Sequence, residues 1–308
     1  MKPFINALFC AIVLAILPSS ISAQNLADTT FKLDVAHPAF TKNAPRVMFD
    51  EAHNNFHTST GRYKPFADLL MNDGYRIVVN RQPFSKKSLD SFKLLVIVNA
   101  LAEDFDETDA DKPAFTEEEE TTVRDWVKGG GSLLLIADPG VFAKSAANLA
   151  KQLGVEMQGN AVEDPANNAE EFRPSMIVYS RDNHQLLEHS ITSGRDTTEK
   201  LNKVIVFNGQ GIKGPTDAVA FLKLSDTARE VTSGADGTAA SVVSAKGLAQ
   251  ALAFKFGGGR VVVMAEADML SALLGNPPEN EPIGMNYPGV DNKQLTLNIM
   301  HWLSGLLR

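Results

Sequence analysis

The stretch FDEAHNNFHTSTGRY, residues 49–63, places two acids, two histidines and two asparagines directly behind a short apolar run. Three chemistries suit such a set. His53 and His57, four apart, would share a face if the loop made a helical turn, and Asp50 or Glu51 would complete a His-plus-carboxylate site for a divalent metal. Alternatively, Glu51 or Glu266 would act as a general base while a histidine orients the substrate. Without catalysis, clustered Asp, Asn and Gln groups form a hydrogen-bonding pocket for a sugar-like or peptide-like ligand. The intervening asparagines argue against a helix, so no cofactor is expected, and a metal at His53 and His57 stands only as an alternative.

More such residues follow the other apolar runs. Asn99 comes after the run 94–98, Asp138 after 133–137, Asn208 and Gln210 after 204–207, and Glu266 with Asp268 after RVVVM. Singly, each has a plainer account: Asp50 or Glu51 as a turn cap, His53 as a satisfied core histidine, Asp138-Pro139-Gly140 as a turn that opens a helix. Jointly they gather at strand ends, and ligands of open parallel sheets bind beyond the carboxyl ends of the strands. The expected ligand-binding set is Asp50, Glu51, His53, Asn54, His57, Asn99, Asp138, Gln210, Glu266 and Asp268. Within it, His53 and one of Asp50 and Glu51 are expected to approach Asp138 or Glu266.

The elements that must position this set read as alternating strands and helices. Strands are expected at 46–49, 75–79, 94–98 and 133–137, and helices at 62–73, 116–128 and 141–153. Thr116 followed by Glu119 is a capping box, which makes the acidic run 117–120 a helix start and not a metal site. Both glycine triplets, 129–131 and 257–259, precede a strand, whereas a dinucleotide fingerprint needs glycines that follow one; they read as turns. Residues 158–174 and 225–238 read as loops, and 292–307 as a helix capped by Asp291. The alternation argues for a mostly parallel sheet covered on both faces, with an antiparallel edge or small extra lobe.

Composition bounds the function. The 308 residues carry a formal net charge of −8 and no basic run, so nucleic acid is not an expected partner. Lys2, the apolar stretch 4–17 and Ile21-Ser22-Ala23 lay out a secretory signal peptide over 1–23. A periplasmic or secreted protein follows, with an extended arm over 24–45, a single α/β domain over 46–308 and no membrane anchor once the signal is removed. The one cysteine, Cys10, falls within that signal, so the mature chain offers no thiol nucleophile and no thiolate metal site. No GxxxxGK[ST], GxSxG or HExxH is present.

FDEAHNNFH, FTEEEETTVRDWVKGGGSLLLIAD, MAEADML and GVDNKQLTLNIMHWLSG together resemble a family of exported bacterial proteins, a domain of unknown function in the class I glutamine amidotransferase-like superfamily. The resemblance spans nearly all of the mature chain. It implies a flavodoxin-like three-layer α/β sandwich. Enzymes of that superfamily use a cysteine on a sharp strand-to-helix turn, which this chain cannot supply. The resemblance therefore implies a domain that binds a small molecule, glycan or protein partner. The alternative is a metal- or carboxylate-dependent hydrolase acting on a glycan or peptide.

Overall fold

Apolar runs with β-branched and leucine residues form the centre of one large sheet. The structure, a computed structural model, describes residues 25–105, 112–170, 172–233, 239–275 and 279–308, so the expected signal segment lies outside the described residues. The main sheet comprises β1 (Arg46–Asp50), β2 (Arg76–Asn80), β3 (Leu94–Val98), β4 (Ser132–Ile136), β5 (Glu156–Glu163), β6 (Gln210–Lys213), β7 (Val219–Lys223), β8 (Arg229–Ser233), β9 (Ala239–Ser244), β10 (Ala249–Phe256) and β11 (Gly259–Met264). Its order is β9-β8-β5-β6-β10-β11-β4-β3-β1-β2, with β7 paired to β10.

From β11 to β2 every pairing is parallel. Among these five strands the spatial order β2-β1-β3-β4-β11 is the doubly wound, flavodoxin-like one, second-first-third-fourth-fifth. Its order reverses between β1 and β3. β3 and β4 are buried along their whole length, as strands covered on both faces must be.

Helices α1 (Lys64–Asn72), α2 (Lys86–Leu89), α3 (Glu117–Lys128), α4 (Val141–Gln152) and α5 (Asn292–Leu303) cover the two faces. Val47, Phe49, Val96 and Leu134 point towards Phe66 and Leu70 of α1 and Leu295 and Ile299 of α5. The alternate residues Met48, Leu95, Ile97 and Leu135 meet Val123 and Val127 of α3 and Leu149 of α4. The result is three layers. No helix among the described residues is long and apolar enough to cross a membrane.

Several expectations change. The antiparallel portion is no mere edge: β5 to β10 extend the sheet well beyond the parallel half. The expected loop at 158–174 contains most of β5, the strand Asn168–Glu170 and the start of Arg173–Ser180, and 225–238 contains β8. The stretches EMQGNAVE and REVTS are mostly polar, so they lack the apolar signal of the parallel strands; β5 pairs with the distant β6 and β8, and β8 pairs with β5 and with its neighbour β9. Helix α5 stops at Leu303, and Asp291 makes no side-chain cap to it. Its carboxylate instead accepts the backbone N–H groups of Asn202 and Lys203 at 2.7 and 3.0 Å.

Candidate functional site

The loop leaving β1 folds across the carboxyl end of β3. Phe56 N–H donates to Asn99 O, Leu101 N–H donates to His53 O, and Asn55 Nδ2 donates to Val98 O. The opening stretch therefore sits at the point where the strand order reverses. The loop contains bends and turns and no helix before Lys64, so His53 and His57 diverge instead of sharing a face.

His53 is enclosed. Its Nδ1 lies 2.8 Å from Asp50 Oδ2 and its Nε2 lies 2.9 Å from Glu119 Oε1. Phe84 and Phe115 pack on the ring, each with its centroid 4.7 Å away. Burial disfavours the charged imidazolium, but the hydrogen bonds and charges of Asp50 and Glu119 outweigh it, and the pKa of His53 is raised. Glu119 responds in the opposite sense. Burial pushes it up, yet its bonds from His53 and from the Thr116 and Phe84 N–H groups hold its pKa below the usual value. The pair ties the end of β1 to the start of α3. Sequence reasoning assigned Glu119 to the capping box alone; the box is present, and Glu119 Oε2 serves it while Oε1 takes His53.

His57 is the histidine that enters the crevice, and it makes the approach expected of His53. Asn99 Nδ2 donates to His57 Nδ1 at 3.0 Å and to Asp138 Oδ2 at 2.6 Å, while Asn99 Oδ1 accepts Asp138 N–H at 2.9 Å. That amide orientation makes Nδ1 of His57 an acceptor. The ring proton is then on Nε2, which faces Asp268 Oδ1 at 3.3 Å. Asn99 itself adopts φ +44°, a left-handed conformation that asparagine tolerates, and this turns its amide into the crevice.

Three carboxylates meet around this centre. Asp138 Oδ1 accepts Ala267 N–H, and Glu266 accepts Asp268 N–H and Met269 N–H at 2.6 and 3.0 Å. Burial first, then the charge of Asp268, pushes the Asp138 carboxyl up to about 6, against the pull of His57 and the N–H donors. Burial and the charges of Asp268 and Asp138 likewise raise Glu266 well above the usual range. Tyr63, fully buried, donates to Ala267 O at 2.6 Å and is raised by burial and by the same acids. Arg62, half-buried above the Phe56 ring at 4.2 Å, is lowered by burial although Asp268 and Asp138 favour its charge. Phe105 and Phe142 extend the aromatic shelf beside Phe56. Arg62 and Tyr63 belong to the stretch that raised the question, but the sequence alone gave no reason to single them out.

The remaining members of the expected set are spread around this centre. Asp50 Oδ1 accepts Asn80 Nδ2 at 3.1 Å and so serves the His53 latch. Glu51 caps Ser59 through its N–H and hydroxyl, and faces Arg81 at 3.2 Å, away from the crevice. Asn54, exposed at φ +44°, donates to Ala102 O. Gln210 braces the end of β4, donating to Ala137 O and accepting Gly159 N–H, both at 2.9 Å. His57, Asn99, Asp138, Glu266 and Asp268 are brought together; Asp50 and His53 form a second, closed cluster.

No family model and no curated protein matches the chain. Among solved structures, the mmIFT52 N-terminal domain overlays 84% of this chain and 97% of its own, with a TM-score of 0.59 at 15% identity. That likeness establishes a shared fold. Cytoplasmic Protein STM3548 from Salmonella typhimurium overlays 84% of this chain and 98% of its own, at TM-score 0.49 and 13% identity. A thua-like protein from Bacteroides uniformis ATCC 8492 overlays 87% and 95%, at TM-score 0.46 and 12% identity.

Proposed function

We propose that this protein is an exported, noncatalytic binding domain of amidotransferase-like fold, whose ligand enters the crevice between the ends of β1 and β3. One observation carries the reading. The sharp strand-to-helix turn from β4 into α4 presents Asp138-Pro139-Gly140, with neither thiol nor hydroxyl at the strand end. A carboxylate already taken up by Asn99 and Ala267 N–H is a poor nucleophile and a good anchor. Support for export is the signal layout of residues 1–23.

The mouth of the crevice combines a partly exposed acceptor, Asp268, with the donor Arg62 and an aromatic shelf. Such a mixture suits a polyhydroxylated, glycan-like ligand, with a peptide as the competing class. Titration of oligosaccharides and short peptides, followed by NMR, tests this. Signals of residues 51–63 should shift on addition of a glycan, and affinity should fall at least about tenfold in Arg62→Ala. Absence of any shift across both panels would remove the binding assignment.

A specific observation favours a second reading. Asp138 and Glu266 are raised carboxyls beside a histidine, a pairing that supplies general acids and bases. A carboxylate-dependent hydrolase would turn over model glycosides or peptides and lose that activity in Asp138→Asn, whereas a binding domain turns over none.

A further inference from the structure

A cavity of about 510 Å³ lies at the amino ends of the parallel strands, the opposite end of the sheet from the crevice. Phe92 and Lys93, which precede β3, and Gly131, which precedes β4, line it together with residues of α2 and α3. The five residues of β3 separate it from the crevice, about 17 Å of extended chain, so one small ligand cannot occupy both.

The aromatic lining is fixed in place. Trp126 Nε1 donates to Leu89 O at 3.1 Å, which ties α3 to α2 and uses the one polar group of the indole. The ring rests on Gly131, where a Cβ would come within 2.4 Å of Cδ2 and Cε2. The half-buried indole therefore offers the cavity carbon surface in a set orientation. Beside it, the hydroxyls of Thr121 and Thr122 have no hydrogen-bond partner among the described residues.

The charges around the cavity are unequal. Lys86 is paired with Asp90 at 3.0 Å and Asp125 with Arg124 at 2.8 Å, so neither acid is free to hold a cation. Lys93 and Arg46 have no carboxylate partner among the described residues; Arg46 instead lies over the Phe92 ring at 4.3 Å. In a chain of net charge −8, two unpaired cations beside an indole favour an anion with an apolar face. A pyranose ring carrying a carboxylate has that form. The C–H groups of one face meet the electron-rich indole, hydroxyls at the edge meet Thr121 and Thr122, and the acid meets Lys93. We propose that this cavity is a second ligand site, separate from the crevice, which takes the ring of a uronic acid with its apolar face on Trp126 and its carboxylate on Lys93.

Methyl β-glucuronide and methyl β-glucoside differ only in carboxylate against hydroxymethyl, and NMR titration of the labelled protein with each tests the site. Trp126→Phe assigns the indole signal against that of Trp302. The Trp126 indole should shift and saturate with both sugars, and the glucuronide should bind at least about threefold tighter, the scale of one exposed ion pair. Lys93→Met should erase that advantage, and Trp126→Ala should weaken both sugars about tenfold. Should Trp126→Ala fail to fold, magnetisation transfer between indole and sugar-ring protons in the unaltered protein decides, and its absence overturns the stacking. No shift at Trp126, equal affinity for the two sugars, or tighter binding of phenylacetate than of the glucuronide overturns the proposal. Arg62→Ala separates the two sites, since it should leave the Trp126 response intact. A Trp126 response lost in that variant overturns the second site, whereas a Trp126 response with residues 51–63 silent supports it and counts against the crevice reading alone.

Discussion

At the scale of single residues, the two histidines four apart have opposite duties. His53 carries two carboxylate partners, and carboxylates only accept, so both of its ring nitrogens donate and the ring is held as imidazolium. His53→Ala would leave Asp50 and Glu119 buried without their shared cation. Breaking a buried pair in this way costs about 3–5 kcal/mol, so chemical denaturation should show a loss of that size. Glycan binding at the crevice should survive wherever the variant still folds. A loss below about 1 kcal/mol would mean that the latch is ornamental. The presence of a polar cluster was legible in the sequence, from acids and amides repeated at strand ends. Which histidine faces the crevice was not, because that depends on the trace of an irregular loop and not on a helical or strand period. Glu119 was hidden for a different reason: its capping role explained it fully, and one carboxylate has two oxygens.

At the scale of elements, the parallel half was readable because each unit carries its own punctuation. Leu94–Val98 has no polar residue, the Thr116 box starts α3, and Gly154, at φ +81°, follows α4. The glycine triplets read as turns: residues 129–131 precede β4, while Gly257 and Gly258 turn into β11, which Gly259 opens. Their mutual packing could not be read, since residues 129–131 and 257–259 are far apart in the chain. Gly258 N–H donates to Lys128 O, and a Cβ on Gly259 would collide with the carbonyl oxygens of Gly131 and Val127. Gly259→Ala should therefore push β11 away from α3 and cost about 3 kcal/mol by overpacking. Gly247, at φ +85° with nothing within 4 Å of an added Cβ, serves as the control. There, alanine meets only backbone strain of about 1 kcal/mol. Thermal melts of the two variants compare them directly, and equal losses would contradict the steric account.

At the scale of the whole molecule, the shifted groups act together on stability against pH. His53 is raised above its ordinary 6.5, so its contribution is complete below that value and is lost as pH rises through the folded one. Asp138, raised from 3.8 to about 6, follows the same rule over a more acidic window, and Glu266 adds to it from 4.5 upward. His189 opposes them. Burial and the Arg260 charge lower it to about 4, so its contribution is complete above 6.5 and is lost as pH falls through 4. Between pH 4 and 6.5 the gain from His189 therefore offsets part of the loss from Asp138 and Glu266. Above 6.5 His189 adds nothing further, while the His53 contribution is lost as pH rises. Glu119, lowered from 4.5, contributes above that value and fails below it. The melting temperature should therefore peak between about pH 4 and 6.5, fall from pH 6.5 to 8.5 as His53 loses its proton, and fall again below about 4. Calorimetry across that range checks the shape. Where His53→Ala folds, its alkaline limb should be shallower, because the contribution of His53 is gone. A melting temperature that climbs from pH 6.5 to 8.5 would show that His53 is not the buried cation that joins β1 to α3.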